Sequence, residues 1–461
     1  MINSILDTIF SNTEHYKKRN SKEERKSKAQ FFTSKKTALQ MADYLSCKND
    51  ETSIIEPGAG NGALAATVIF KLIKNGCKKI TCTLIENDIG ILPTLKETIR
   101  EMESFATMKG VNLSFSVLQD NFLLCDDLPE YDIAIMNPPY KKIRKDSVES
   151  QKMSDFVYGQ PNLYSLFMVK TLRLLKTNAE YVFIVPRSWT SGEYYKTVRK
   201  YILDNTDIST ICIFNERNMS FSAENVLQET MIFAGKKNGH QREMISIDVS
   251  DGDQFTSINH YLVSSTTIKN IGSNSYLLIP STQNEINVIN KFSNAKGTFK
   301  DAGYVFKTGP VVEFRNKDFL HMEKEKNSIP MFRSTNISSG SFSFPIMINK
   351  PQYIDSRADK LLLANENTIL VRRLSSKEEK RRIQCCQYKK LKGYSKISIE
   401  NHVDYLTRID GGTISESELA HISGLLMSDE YDLYFRLLNG NTQVNAQDLN
   451  NLPYLERGIN Q

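Results

Sequence analysis

A chain of 461 residues is too long for one ordinary core and implies two domains, and a 40% hydrophobic, 24% charged composition is that of a soluble globular protein. The 59 basic and 53 acidic side chains leave a net charge of +6, which bears on a polyanionic partner only where it is locally concentrated. Seven cysteines without CxxC spacing and six scattered histidines suggest neither a disulfide framework nor a metal site, and no apolar run resembles a signal sequence or a membrane span, so a reduced, metal-free cytoplasmic protein is expected.

The first thirty residues are weakly amphipathic and then basic, through Lys17, Lys18, Arg19, Lys22, Arg25, Lys26 and Lys28. Such a run suits either a solvated helix face or an arm that contacts phosphates. Gln30-Phe31-Phe32-Thr33-Ser34 follows, with Thr33 or Ser34 placed to cap a helix over Thr37–Leu45 and Phe32 placed to lie over the edge of a ligand.

A short strand, Thr52–Glu56, then runs into Pro57-Gly58-Ala59-Gly60-Asn61-Gly62 and a helix from Ala63 to Lys74. Glycines let the turn pass close beneath a ligand where a Cβ would collide. The spacing is GxGxG rather than the dinucleotide GxGxxG, and Glu56 stands directly before it. A carboxylate there repels a pyrophosphate and suits a cationic cofactor such as S-adenosylmethionine.

The strand Ile80–Ile85 ends at Glu86-Asn87-Asp88, where an acid in a doubly wound sheet accepts from ribose hydroxyls. The strand Leu113–Leu118 ends at Gln119-Asp120-Asn121-Phe122, so that Asp120 can accept from an adenine amine with Phe122 packed on the ring. The fourth strand, Ile133–Met136, is stopped by Pro138 and Pro139, which hold Asn137 in a rigid extended turn. An exocyclic base amine is a poor nucleophile because its lone pair is delocalised; the Asn137 side-chain oxygen and the Pro138 carbonyl can each take one N–H and restore its nucleophilicity. Tyr140 offers a flat face for the ring.

The basic stretch Lys141–Gln160, with Lys142, Arg144 and Lys145, reads as a loop able to close over nucleic acid. Beyond Asn162–Phe167 come a helix to Leu175, a strand over Tyr181–Val185 ended by Pro186, a helix over Glu193–Asp204, and strands over Ile208–Phe214 and Glu229–Ala234. This alternation predicts a parallel α/β sheet with an antiparallel hairpin at its last edge.

In that order the segments resemble the gamma-class amino-methyltransferases of DNA, N6-adenine enzymes of bacterial restriction-modification systems, over about residues 25 to 236. The matching motifs are Gln30–Ser34, Glu56–Gly62, Glu86, Asp120-Asn121, Asn137–Tyr140, Asn162–Phe167, and Phe221 followed by Val226. The resemblance implies a Rossmann-like α/β methyltransferase sheet. It implies that Phe32, Thr33, Glu56, Pro57, Gly58, Gly60, Glu86, Asp120, Asn121, Phe122, Asn137 and Phe167 bind S-adenosylmethionine. Asn137, Pro138, Pro139 and Tyr140 would carry the catalysis, with Tyr140 and Phe221 walling the target base. N4-cytosine enzymes of this kind carry serine in place of Asn137, which favours adenine, and the base must leave the duplex to react.

Residues 1–240 are thus expected to form an arm and catalytic domain, with a hinge at Lys236–Gly239, and residues 241–461 an α+β target-recognition domain. The second half carries the densest basic region, Arg372, Arg373, Lys377, Lys380, Arg381, Arg382, Lys389 and Lys390, and a helical period over Glu416–Arg436 ended by Asn439–Asn441. Lys141, Lys142, Arg372, Arg373, Lys380, Arg381 and Arg382 are the expected contacts to double-stranded DNA, and a separate restriction endonuclease is a candidate partner. The same residues also admit an RNA adenine or protein-glutamine methyltransferase, or an inactive DNA-specificity subunit.

Overall fold

The structure is a computed structural model and describes residues 2–46, 48–214, 229–269, 276–338, 340–376, 378–438 and 443–456. Phe221 and Val226, Lys377 and Asn439–Asn441 lie outside the described residues. The chain divides into two compact units, Met1–Ser281 and Thr282–Gln461.

In the first unit β1 (Glu51–Pro57), β2 (Lys79–Ile85), β3 (Asn112–Leu118), β4 (Tyr131–Met136) and β5 (Leu175–Pro186) pair in parallel in the order β3-β2-β1-β4-β5. This is the expected Rossmann-like core. The chain winds outward from β1 to β3, then returns to lay β4 on the other side of β1. Topology therefore reverses between β1 and β4, and the crevice outside their carboxyl ends is where such a sheet binds ligands.

The first unit begins with α1 (Ile2–Arg19) and α2 (Lys22–Ser27), and α3 (Lys35–Asp43) follows, capped by the Ser34 side chain, which accepts from the Thr37 N–H. Leu6, Ile9, Thr13 and Tyr16 make a buried stripe along α1. Next come α4 (Ala63–Lys74), buried almost all round, α5 (Leu92–Met108), α6 (Val148–Lys152), α7 (Leu163–Arg173) and α8 (Lys196–Asn205).

Two expectations change here. The antiparallel pair, β6 (Thr206–Phe214) and β7 (Thr230–Lys237), forms, but β7 is inserted between β5 and β6 rather than ending the sheet. Lys236–Gly239 turns the chain within this unit: β8 (Met244–Ser250) pairs parallel to β6, and β9 (Ile258–Ser264) pairs antiparallel to β8. Ile245, Ile247 and Val249 of β8 are buried, and this apolar alternation carries the sheet to nine strands among the described residues. The first unit accordingly runs to Ser281, where the sequence suggested an end at 240.

The second unit is α+β. Strands Tyr304–Thr308, Val403–Arg408, Thr368–Arg372 and Cys385–Tyr388 form an antiparallel sheet in that order, and a mixed sheet is built on Ser328–Phe332 and Lys396–Ile399. Phe332, Leu370, Cys386, Tyr388, Ile397 and Ile399 are part of one core cluster. The helical period over Glu416–Arg436 is two helices, Glu416–Leu426 and Asp429–Leu438, because the Ser428 hydroxyl accepts from the Tyr431 N–H and Asp429, Glu430 and Asp432 fill the new first turn. Among the described residues no helix is long and apolar enough to cross a membrane.

Candidate active site

The glycine turn after β1 is shaped by its own backbone. The N–H groups of Gly58 and Ala59 donate to Ile85 O at 2.8 and 3.0 Å, and Gly58, Gly60 and Gly62 sit at φ of +72°, +57° and +76°, where a side chain is strained. A Cβ at Gly62 would stand 2.8 Å from Leu95 Cδ1, so a side chain there would displace that methyl as well as strain the turn.

Above the turn lies a cavity of ≈ 530 Å³. Of the residues expected at the cofactor, Phe32, Thr33, Glu56, Gly58, Gly60, Glu86, Asp120, Asn121, Phe122, Asn137 and Phe167 line it, and Pro139 joins them. Pro57 is buried as the last residue of β1, and neither it, Pro138 nor Tyr140 lines the cavity. The ends of β1, β2, β3 and β4 thus converge on one space, as the switch point requires.

Two carboxylates sit deep in it. Glu56, 2% exposed, accepts from the Ala65 N–H at 2.8 Å. Burial pushes its carboxyl well above the ordinary value, against that hydrogen bond, and the charge of Glu86 adds to the push. Glu86 accepts from the N–H groups of Gly60 and Asp88, both at 2.7 Å, and so ties the glycine turn to the end of β2; burial outweighs these bonds and raises its pKa as well. Phe122 and Phe167 also line the cavity, with ring centroids 5.0 Å apart. Buried acidic groups and aromatic rings lining one cavity, beside a glycine turn with positive φ, fit S-adenosylmethionine, with its cationic end and its adenine.

Asn137 is held from three sides. Its Nδ2 donates to Phe31 O at 2.8 Å and to Thr33 Oγ1 at 3.0 Å, while its Oδ1 accepts from the Tyr140 hydroxyl at 2.8 Å. That hydroxyl also lies 3.0 Å from Ile184 O at the end of β5. The expected open face of Tyr140 is partly covered, because Phe31 stacks on the ring at 5.7 Å with planes 21° apart. Tyr164, fully buried, meets it edge-on.

The sequence missed several of the wall residues. Asn61 donates to Thr13 Oγ1 at 2.6 Å and so seats α1 on the glycine turn. Asp88 accepts from Lys28 at 3.0 Å, Gln30 at 2.7 Å and the Tyr16 hydroxyl at 3.1 Å; burial would raise its carboxyl, but these bonds hold it below the ordinary range. Lys28 of the basic arm is therefore paired with Asp88, although its side chain stays 43% exposed. Glu149 of α6 accepts from Asn121 Nδ2 at 2.9 Å and lines the cavity. The buried spacing of α1 could have been found in the sequence, whereas nothing near Glu149 announced it.

Of the basic residues, Lys141 and Lys142 are exposed directly after the Asn137–Tyr140 turn, and Lys380 is exposed in the second unit. The arginines around Lys380 are not an open phosphate-binding face. Arg382 is 1% exposed, its N–H donates to Asp432, and its guanidinium lies 5.6 Å from the Phe435 ring. Arg373 donates to Asn401 O, Arg372 to Gln384 and Arg381 to Asp429. Partners distant in the chain hold these side chains, which a linear run of Arg and Lys does not reveal. Arg382→Ala is expected to destabilise the second unit by about 2–4 kcal/mol through lost packing of a buried side chain beside the Phe435 ring, read by thermal or denaturant unfolding. A change under about 0.5 kcal/mol, as for an ordinary surface charge, would contradict this placement.

Among the described residues no group of His, Cys, Asp and Glu is arranged to hold a metal ion. The Eco57I restriction-modification methylase family model matches residues 65–221. The Type II methyltransferase M.BsuBI of Bacillus subtilis is 31% identical over 93% of this chain and 88% of its own length. The Type II methyltransferase M.PstI of Providencia stuartii is 31% identical over 93% and 87%. Among solved structures, the type IIG restriction endonuclease BpuSI aligns with 91% of this chain and 57% of its own at 15% identity and a TM-score of 0.48. Identity of this level over nearly the whole of both chains shows the family: the chain belongs to the Type II methyltransferases of restriction-modification systems.

Proposed function

We propose that this Type II methyltransferase modifies the N6 amino group of a specific adenine in double-stranded DNA, within a restriction-modification or related defence system in the cytoplasm. The observation that carries the reading is the convergence of Asn137 and Pro139 with Glu56, Gly58 and Glu86 on one cavity. Methyl donor and methyl acceptor are thereby addressed from adjacent strand ends. S-adenosylmethionine, when bound, supplies a methyl group activated by its sulfonium.

The chain's own residues do the rest. Glu56 faces the cationic end of the cofactor, Glu86 accepts from ribose hydroxyls, and Asp120 with Phe122 and Phe167 holds the adenine. Asn137 Oδ1 and the Pro138 carbonyl take the two N–H bonds of the target amine and draw its lone pair out of the ring. No strong base is needed, because the amine becomes acidic once it is methylated. A base inside a duplex cannot reach this turn and must rotate out of the stack, with Tyr140 and Phe221 as its walls. Fixed geometry and exclusion of water supply most of the acceleration. Exposed Lys141, Lys142 and Lys380 supply phosphate contacts, which orient the duplex, while the second unit reads base edges. A separate restriction endonuclease sharing the site would complete the system.

Expressing the chain in a host free of DNA methylation and sequencing the native DNA tests this reading. N6-methyladenine at one recurring sequence is expected. Modification confined to cytosine N4, or to RNA, overturns it.

A further inference from the structure

The arm between α2 and α3 touches both halves of the site. Asp88 anchors it through Lys28 and Gln30 beside the cofactor cavity, and three residues later it reaches Asn137 through Phe31 O and Thr33 Oγ1. A backbone carbonyl can only accept, so the Asn137 atom 2.8 Å from Phe31 O is the amide nitrogen. The second proton of that nitrogen goes to Thr33. With both N–H bonds spent on the arm, turning the amide over would set its oxygen against the Phe31 carbonyl and forfeit that bond, so the oxygen is committed to the opposite side, where it lies 2.8 Å from the Tyr140 hydroxyl.

We propose that Thr33 is a positioning and specificity-determining residue: with the Phe31 carbonyl it fixes which end of the Asn137 amide meets the target base. An oxygen presented there selects an exocyclic amine. A nitrogen presented there would repel that amine's N–H bonds and accept a carbonyl-bearing base instead. Discrimination between an amine and a carbonyl at this position therefore depends on an arm residue that needs no contact with the base. The inference rests on the adenine reading, and it adds a role for Thr33 other than contact with the cofactor.

The test uses the full-length enzyme and two synthetic duplexes carrying the site mapped by sequencing, one with the target adenine and one with hypoxanthine in its place. Pairing energies of the duplexes cancel when the binding ratio is compared among variants. Thr33→Val is expected to lower kcat about tenfold, to leave the cofactor KM within twofold, and to narrow the adenine-to-hypoxanthine ratio about tenfold, with Thr33→Ser restoring kcat and the ratio. A raised cofactor KM with kcat and ratio at their parental values makes Thr33 a cofactor contact only and overturns the proposal. A lowered kcat with an unchanged ratio overturns it too, since a purely structural defect does that. Should Thr33→Val not fold, Thr33→Ala is read by the same ratio. Failure to find methylated adenine at all is a different outcome, seen at the mapping step, and it removes the adenine reading beneath the proposal.

Discussion

Asn137→Ala is expected to reduce methyl transfer by about a thousandfold or more while leaving cofactor affinity within about threefold. In the proposed reaction the side chain supplies an acceptor aimed at a developing positive charge, and removal of one such preorganised group costs about 10² to 10³ in turnover in comparable sites. The loss should exceed that of an ordinary hydrogen bond because the amide is already held by Phe31, Thr33 and Tyr140 and costs no reorganisation at reaction. Cofactor binding is largely spared, since Glu56, Glu86, Asp120 and the ring pair Phe122–Phe167 remain. Single-turnover methyl incorporation alongside a cofactor titration separates the two effects. Parental turnover in this variant would remove the Asn137 turn from the chemistry.

The elements that carry the site were those most legible in the sequence, for physical reasons. Pro138 and Pro139 can end a strand and do little else, so the position of Asn137 followed from the backbone alone. The helix Ala63–Lys74 was bounded by a glycine turn and is found at those limits. The register of acids at strand ends followed from the parallel sheet, and it brought Glu56, Glu86 and Asp120 to one cavity.

What remained hidden depends on long-range partners. The weak amphipathic stripe of α1 becomes decisive only because Asn61 waits for Thr13 across the glycine turn. Lys236–Gly239 has the composition of a hinge, yet the sheet continues through β8 because its alternating apolar residues find β6. The arginines around residue 380 count as surface charge in a linear reading, and only the fold pairs Arg381 with Asp429 and Arg373 with Asp404 and buries Arg382 near the Phe435 ring. Charge density along a chain does not state which charged side chains the fold buries or pairs.

Glu56→Gln is expected to make the free enzyme as stable as the parent or more so at neutral pH, while weakening cofactor binding by about a hundredfold. The carboxyl is buried, and its pKa stands well above the ordinary value chiefly from that burial, with Glu86 adding repulsion. A carboxyl raised in the folded state stabilises the fold fully below its unfolded pKa and loses that contribution as pH rises through the folded one. Glutamine removes the cost and still offers the Ala65 N–H an oxygen. A cationic cofactor reverses the preference, because it interacts with the ionised form. Below the folded pKa, binding must then expel a proton, and affinity in the parent should climb with pH and level off above it. In Glu56→Gln that climb should flatten, leaving only the smaller contribution of Glu86, whose pKa is also raised. The hundredfold loss, about 2.7 kcal/mol, is of the size expected for deleting one partner of a largely desolvated charge pair. Calorimetric titration across pH, with unfolding of the free protein alongside, gives both quantities. Unchanged affinity and an unchanged pH slope would mean that the glycine turn is not where the cationic end of the cofactor lies.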